Sequence, residues 1–242
     1  MTTLFISDLH LADTRPGVTR LFLDFLRGPA CNADALYIVG DLFEYWAGDD
    51  DLDEPLNRAV AAALSELADH RVKTFFMAGN RDFLIGGGFA QRSGLALLDD
   101  ATVIDLDAMP TLLMHGDTLC TDDLAYQQLR DTVRAPAYIA QFLSQPLAAR
   151  KAQIAAIRAR SEADKGTKTA QIMDVNRDAV VAAFRRHGAA RLIHGHTHRP
   201  ADHRYEIDGR PCTRIVLADW HHERGEYLRC DGGGCLRVAI HA

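Results

Sequence analysis

Three features of the sequence predict an α/β fold. Short apolar runs alternate with amphipathic stretches through the first half of the chain, which is the pattern of alternating strands and helices. Several apolar runs end directly in clusters of polar side chains and glycines, as strands of an open α/β sheet do at their carboxyl ends. The chain has 242 residues, 48% hydrophobic and 25% charged, which is typical of a folded globular protein.

The individual elements follow from apolar periodicity, taken in chain order. In the first half, apolar runs predict strands at 4–6, 37–39, 73–77 and 111–114, and residues spaced three or four apart predict helices around 18–25 and 56–67. From about 120 to 188 the strand pattern disappears, which predicts a helical insertion with helix boundaries at Pro136 and Pro146. Further strands are predicted at 191–193, 214–217, 227–229 and 236–238, the last two joined by a glycine turn at 232–234. Since domains usually contain about 100–200 residues, we expect one domain, 1–242, with 120–188 as an insertion within it.

Composition excludes several classes of protein. A net charge of −6 argues against non-specific nucleic-acid binding, and no nucleic-acid partner is expected. The five cysteines are an odd number without a C-x-x-C pair, so we expect reduced thiols rather than disulfides or a cysteine zinc site. The sequence shows no signal-peptide pattern, and no run approaches the ~18 apolar residues of a membrane span, so we expect a chain that stays inside the cell.

Five predicted strands end in clusters of side chains that can bind metals. The clusters are Asp8-Leu9-His10, Gly40-Asp41, Gly79-Asn80-Arg81-Asp82, His115-Gly116-Asp117 and His194-Gly195-His196-Thr197-His198. Because the carboxyl ends of strands meet at one edge of a sheet, these clusters are expected to converge. A single Asp at such a position is more often a helix cap, but imidazoles have no such role. Carboxylate, imidazole and amide oxygen together favour Mn, Fe or Zn.

The backbone of the first cluster is expected to be extended. On an extended segment, the i, i+2 spacing turns Asp8 and His10 to one side while Leu9 turns into the core.

In this order, D-x-H, G-D, G-N-R-D, a later histidine and G-H-x-H resemble the motifs of the calcineurin-like binuclear metallophosphoesterases. Longer segments at 40–50, 79–84, 114–123, 172–176 and 194–200 are similar to the branch of that family that acts in lipid A biosynthesis, and the similarity covers nearly the whole chain. The resemblance implies a mixed-sheet αββα sandwich with the helical insertion as a cap. It also implies hydrolysis of the pyrophosphate in UDP-2,3-diacylglucosamine, a lipid-linked UDP-sugar, by a protein in peripheral contact with the cytoplasmic face of the inner membrane. The sequence does not give the oligomeric state, and a monomer is the expectation.

The resemblance also implies a set of site residues and two divalent metal ions, usually Mn²⁺. The first ion would be held by Asp8, His10, Asp41 and His198, and the second by Asp41, Asn80, His115 and His196, so Asp41 would bridge them. These seven residues and Arg81 would be catalytic. Substrate would contact Asn80, Arg81, Asp123, Tyr126, Ser161, Lys165, Lys168 and His196. Lys165 departs from the asparagine expected at its position.

Arg81 is a second departure, because many members of the wider family carry a histidine there. A histidine can protonate an alkoxide leaving group, whereas arginine does not titrate in the useful range. A phosphate leaving group, with a second pKa of about 6, needs no proton. Arg81 therefore favours an anhydride substrate, unless it is an ordinary surface arginine beside a carboxylate.

The insertion has its own charge pattern, with six cations and two anions between 147 and 168. Arg150, Lys151 and Arg158 could bind substrate phosphates or anionic lipid, or form a solvated helix face. The apolar residues of the insertion could line an acyl-chain cleft or form ordinary helical core, and they are Tyr138, Ile139, Phe142, Leu143, Ile154 and Ile157. An acidic run at 49–54 lacks the glycine and glutamate of an EF-hand and is expected to be mostly a solvated loop or a helix start.

Two other functions stay open at this point. A nucleotide phosphodiesterase or phosphomonoesterase of the same fold would act on soluble substrates, and it would turn over p-nitrophenyl phosphate about as well as a UDP-sugar lipid. A metal-bearing scaffold would bind partners without catalysis, but it would have no need to retain the complete ligand set.

Overall fold

The structure, a computed structural model, describes residues 1–165 and 174–241, and the side chains of these residues except 160–165. The strands in this part are β1 (Thr3–Ile6), β2 (Ala35–Val39), β3 (Lys73–Met77), β4 (Ala96–Leu98), β5 (Thr102–Leu106), β6 (Met109–Leu113), β7 (Arg191–His194), β8 (Ala201–Ile207), β9 (Arg210–Val216), β10 (Arg224–Asp231) and β11 (Gly234–His241). The helices are α1 (Pro16–Arg27), α2 (Pro55–Asp69), α3 (Gly87–Ser93), α4 (Leu124–Val133), α5 (Pro136–Leu143), α6 (Leu147–Lys165) and α7 (Arg177–His187).

Every strand and helix predicted from an apolar pattern is present, and four further strands and α-helices in the described residues were missed. Three of these are the strands β4, β5 and β8, whose residues are mostly exposed or only half-buried. Such strands carry no continuous apolar run, so the pattern of buried strands did not reveal them. The fourth is the short helix α3, which begins with two glycines.

The strands form two mixed sheets that pack face to face. The first has the order β11-β10-β1-β2-β3-β4 and the second the order β5-β6-β7-β9-β8. Side chains of both sheets, among them Phe5, Val39, Leu113 and Ile193, form one buried cluster between them. The helices α1 and α2 cover the first sheet, and α7 packs on the second through Val180 and Phe184. This is the αββα sandwich implied by the resemblance.

The helices between β6 and β7 fall into two groups. Because α7 packs on the second sheet, α4, α5 and α6 are the part of the predicted insertion that stands apart from the sandwich; we call these three helices the cap. Proline is the first residue of α5, as predicted, since its missing N–H would have no partner there. None of the helices in the described part of the chain is long and apolar enough to cross a bilayer.

The expectation that all cysteines are reduced is wrong for two of them. Cys230 and Cys235 face each other across the β10–β11 hairpin, where they form a disulfide. The predicted glycine turn at 232–234 creates this register. Disulfide formation depends on the distance between two Cβ atoms, which the number and spacing of cysteines alone do not show.

Candidate active site

The backbone of the site is held in an uncommon conformation. Five of the predicted metal ligands have positive φ angles, namely Asp8 (56°), His10 (52°), Asp41 (54°), His196 (67°) and His198 (52°). Left-handed φ values are rare for residues other than glycine, and they persist where the surrounding structure determines them. The segment Asp8-Leu9-His10 is therefore not extended, contrary to the expectation, although Leu9 is buried as expected. Both side chains reach the site because the chain turns at each of them.

One cluster consists of Asp8, His10 and His198, each of which places a potential ligand atom within 4.8 Å of the others. Nε2 of His10 lies 3.2 Å from Nε2 of His198, and the latter atom lies 3.5 Å from Oδ1 of Asp8. Two imidazole nitrogens and a carboxylate oxygen aimed at one point could hold a divalent cation.

A second cluster adjoins the first and contains Asp8, Asp41 and His115. The side-chain oxygen of Asn80 lies 3.0 Å from Nε2 of His115 and 2.8 Å from Nδ1 of His196, which brings both residues to the same point. Oδ2 of Asp41 lies 3.7 Å from Nε2 of His115 and 3.8 Å from Nε2 of His10. It is thus almost equally far from one histidine of each cluster.

The far nitrogen of three of these histidines faces an acceptor. Nδ1 of His115 lies 3.1 Å from the carbonyl oxygen of Val39, Nδ1 of His10 lies 2.9 Å from Glu44, and Nδ1 of His198 lies 3.3 Å from Asp219. A proton on Nδ1 leaves the lone pair of Nε2 pointing into the cluster. Neither Glu44 nor Asp219 was predicted to be a site residue, because neither belongs to one of the five clusters at predicted strand ends.

The titration of the site is governed by its concentrated negative charge. Burial acts to lower the pKa of His115, but the charges of Asp41, Asp8 and Asp117 outweigh it and raise this pKa to about 9. Burial acts to raise the pKa of Asp8, but a hydrogen bond with His198 and neighbouring imidazoles hold it below the usual range. Burial and the charge of His115 lower the pKa of His196 to about 4. The site therefore keeps Asp8 ionised, which favours cation binding.

Asp82 holds two of the site loops together, a role that sequence analysis did not assign. Its carboxylate accepts hydrogen bonds from the backbone N–H groups of Leu42 (2.7 Å) and Gly79 (2.8 Å). Burial and the charge of Asp41 raise the pKa of Asp82 to about 7, while the N–H donors oppose this. The loops approach so closely that a Cβ at Gly79 would overlap the Asp41 carboxylate.

The first cap helix is fixed beside the clusters by a buried carboxylate. Asp117 accepts hydrogen bonds from the Tyr126 hydroxyl (2.7 Å) and from Nε of Arg130 (2.7 Å), both on α4. The Asp123 side chain caps the same helix by accepting from the backbone N–H of Tyr126. This places the Tyr126 ring 5.8 Å from the ring of His196.

A cavity of about 700 Å³ extends from the clusters to a chamber beneath the cap. Its polar end contains His10, Asp41, Asn80, Arg81, Asp123, Tyr126, His196 and His198. Its apolar lining includes Tyr45, Trp46, Phe83, Leu84, Leu129, Val133, Tyr138, Phe142, Ile154 and Ile157. Four of the six predicted acyl-cleft residues line the cavity, while Ile139 and Leu143 do not.

The sequence matches the calcineurin-like phosphoesterases over residues 1–200, most of the chain. The chain belongs to this family. The two packed sheets are therefore the fold of a calcineurin-like phosphoesterase.

Several proteins named UDP-2,3-diacylglucosamine hydrolase are similar to this phosphoesterase over almost its full length. That of Aromatoleum aromaticum is 55% identical over 234 residues, covering 97% of this chain and 95% of the relative. Those of Xanthomonas campestris and Stenotrophomonas maltophilia are each 55% identical over 241 residues, covering 97% of this chain and 97% and 96% of the relatives.

Solved structures resemble the chain more distantly. An archaeal phosphodiesterase has a TM-score of 0.49 at 12% identity, covering 99% of this chain and 100% of that one. Vps29 of Entamoeba histolytica, complexed with zinc, has a TM-score of 0.46 at 13% identity, covering 100% and 99%.

The first two cations of α6 are paired with acidic groups of the phosphoesterase core. Arg150 is buried and forms a bidentate ion pair with Asp50, and Nζ of Lys151 lies 2.8 Å from Asp51. These two cations are therefore neither a solvated helix face nor free to bind phosphate or lipid. Asp50, Asp51 and Glu54 of the acidic run form the surface on which α6 docks, while Asp53 is exposed. The run directly precedes α2, which begins at Pro55, so the expected helix start is confirmed.

Four predicted substrate contacts remain, and the structure describes the side chain of one of them, Arg81. Nη1 of Arg81 lies 3.8 Å from Oε1 of Glu44, at the polar end of the cavity. The side chains of Ser161 and Lys165, and all of Lys168, lie outside the described residues.

Proposed function

We propose that the protein hydrolyses the pyrophosphate bond of UDP-2,3-diacylglucosamine, giving UMP and 2,3-diacylglucosamine 1-phosphate. The observation that carries this proposal is the cavity, because it joins a metal-binding cluster to an apolar chamber beneath the cap. A soluble nucleotide substrate would occupy only the polar end of this cavity and would not need the apolar chamber. The similarity to relatives named UDP-2,3-diacylglucosamine hydrolase supports the same substrate.

We propose two divalent ions, with Mn²⁺ as the physiological metal. Asp8, His10, Asp41 and His198 would hold the first, and Asp41, Asn80, His115 and His196 the second. The mixed oxygen and nitrogen donors fit such ions. Oδ2 of Asp41 lies 3.8 Å from His10 and 3.7 Å from His115, which fits a bridging carboxylate, although Asp8 is the residue common to the two clusters. When bound, a pair of divalent ions activates water and neutralises charge that develops on the phosphate. The chain holds these ligands in place through the acceptors behind His10, His115 and His198.

The other residues at the polar end bind and orient the substrate. Arg81 and Asn80 would contact the phosphates, and the Arg81 guanidinium would clamp phosphate oxygens. His196, Tyr126 and Asp123 line the route from the clusters towards the cap, where the sugar would lie. Ser161, Lys165 and Lys168 are proposed as further substrate contacts from the family resemblance alone.

Because Arg81 is not a general acid, we expect a strong preference for anhydrides. The wild-type protein should cleave UDP-2,3-diacylglucosamine with a kcat/KM roughly 10²–10⁴-fold above that for an alkyl phosphomonoester, the range that general acid catalysis supplies. In the Arg81→His variant, the ratio of kcat/KM for the anhydride to kcat/KM for the phosphomonoester should be lower. Steady-state kinetics on both substrates and on p-nitrophenyl phosphate provide the measurement. Equal efficiency on all three would instead establish a general phosphatase.

We propose that the cap contacts the cytoplasmic face of the inner membrane. Leu124 and Leu129 on α4 are 69% and 46% exposed, and Leu129 also lines the cavity, so the apolar surface is continuous with the acyl chamber. We expect the wild-type protein to float with vesicles of anionic and zwitterionic phospholipid and the Leu124→Glu variant to float less. Wild-type protein that stays at the bottom of the gradient at low ionic strength would rule out this contact.

A further inference from the structure

The Glu44 carboxylate contacts both the imidazole of a predicted metal ligand and a helix of the cap. One oxygen, Oε2, lies 2.9 Å from Nδ1 of His10. The other, Oε1, accepts a hydrogen bond of 2.7 Å from Nη2 of Arg158 on α6. The backbone of Glu44 is itself fixed, because its N–H donates to the carbonyl of Leu11 in the loop that carries His10.

The contact with Glu44 decides which nitrogen of His10 faces the site. The N–H direction of Nδ1 does not meet hydrogen-bond geometry, but its 2.9 Å approach to the carboxylate leaves Nε2 on the side of His198 and Asp41. A carboxylate behind a histidine fixes its ring orientation and tautomer, and loss of such a partner typically weakens metal binding. Asp219 stands behind His198 in the same way. Its carboxylate pairs with His198 and His221, and neither of these histidines lies on a cap helix.

The contact with Arg158 ties this arrangement to the position of the cap. Arg158 lines the cavity near the polar end, on the same helix whose Arg150 and Lys151 dock on the acidic run. If α6 moves away, Oε1 loses its guanidinium partner, and the nearest remaining cation is Arg81, whose Nη1 lies 3.8 Å away. The Glu44 carboxylate would then lose one of the contacts that fix it and would hold His10 less firmly.

We propose that Glu44 is a positioning residue that orients His10 for metal binding and couples this orientation to the docking of α6 through Arg158. The inference rests on the proposed metal-dependent function and adds to it a link between the cap and the first metal site. Because coupling between two sites is reciprocal, a docked cap strengthens metal binding and bound metal strengthens cap docking.

Metal affinity tests this proposal without reference to turnover. Titration of the protein with Mn²⁺, with free Mn²⁺ measured by electron paramagnetic resonance, gives the affinity of each site. We expect Glu44→Ala to weaken the affinity of one site by about 10–100-fold. Arg158→Ala should weaken the same site by about 5-fold or more, and the double variant should resemble Glu44→Ala alone. The activity of Glu44→Ala should recover at high Mn²⁺ concentration, which general structural damage would not allow.

Glu226→Ala is the matched control, because Glu226 also pairs with an arginine, Arg237 on the β10–β11 hairpin, which belongs neither to α6 nor to the predicted metal ligands. Its Mn²⁺ affinity should equal that of the wild type. If Glu44→Ala does not fold, Glu44→Gln replaces it, since glutamine keeps the shape and removes the charge. Wild-type affinity in a folded Glu44 variant would overturn the proposal, and additive effects in the double variant would overturn the coupling to α6. Wild-type protein that binds no divalent ion would contradict the proposed function instead.

Discussion

Replacement of Asp41 by alanine is expected to leave a protein that holds fewer than two divalent ions and has lost activity by orders of magnitude. Its Oδ2 lies between the two clusters, 3.8 Å from His10 and 3.7 Å from His115, so its removal affects both proposed sites. Its Oδ1 also accepts from the backbone N–H of Arg81, which positions the substrate clamp. Elemental analysis of the purified variant together with its kcat/KM provides the measurement.

A variant of a ligand to one ion serves as the comparison. His10→Ala should retain one ion, because His10 belongs to a single cluster. Asp41→Asn keeps the size of the side chain and separates the loss of charge from a loss of packing. Two tightly held ions and near-normal activity in Asp41→Ala would rule out a bridging role for this carboxylate.

Removal of the acyl chains from the substrate is expected to lower kcat/KM by orders of magnitude. The chains lie far from the bond that breaks, but burial of each methylene contributes about 0.8 kcal/mol, so five methylenes correspond to about a thousandfold. This binding energy can hold the pyrophosphate in position for attack. Comparison of UDP-glucosamine with UDP-2,3-diacylglucosamine measures the effect.

Two exposed residues of the cap provide a matched pair for this experiment. Ile157 is 42% exposed and lines the cavity, whereas Leu143 is 39% exposed and does not. Ile157→Glu should lower kcat/KM for the diacylated substrate and leave kcat/KM for UDP-glucosamine unchanged. Leu143→Glu should leave kcat/KM unchanged for both substrates. If UDP-glucosamine were turned over within a few-fold of the lipid, the chamber would not be an acyl site.

Much of the fold was predictable because buried strands and helices impose simple apolar patterns. The run Lys73–Met77 gave the bounds of β3 directly. By contrast, β8 alternates half-buried and exposed residues at the end of its sheet, so its sequence carries no apolar run. Sequence patterns report burial, and an edge strand is stabilised largely by backbone pairing to its neighbour.

The ligands of the candidate site were predictable from the sequence, whereas the residues behind them were not. Its potential ligands were found because they follow strand ends directly, and the clusters converge as the sheet topology requires. The partners behind them were missed, since Glu44 and Asp219 reach His10 and His198 only through the folded loops. The pairing of Arg150 with Asp50 was also unpredictable, because it joins residues 100 positions apart.

The most direct test of the account is identification of the products made from UDP-2,3-diacylglucosamine by the purified protein with Mn²⁺. Mass spectrometry after a short incubation should show UMP and 2,3-diacylglucosamine 1-phosphate in equal amounts. Their formation should stop when the metal is chelated, and Asp41→Ala should form neither. Release of UDP with the free diacylated sugar, or equal product formation with and without chelator, would contradict metal-dependent cleavage of the pyrophosphate.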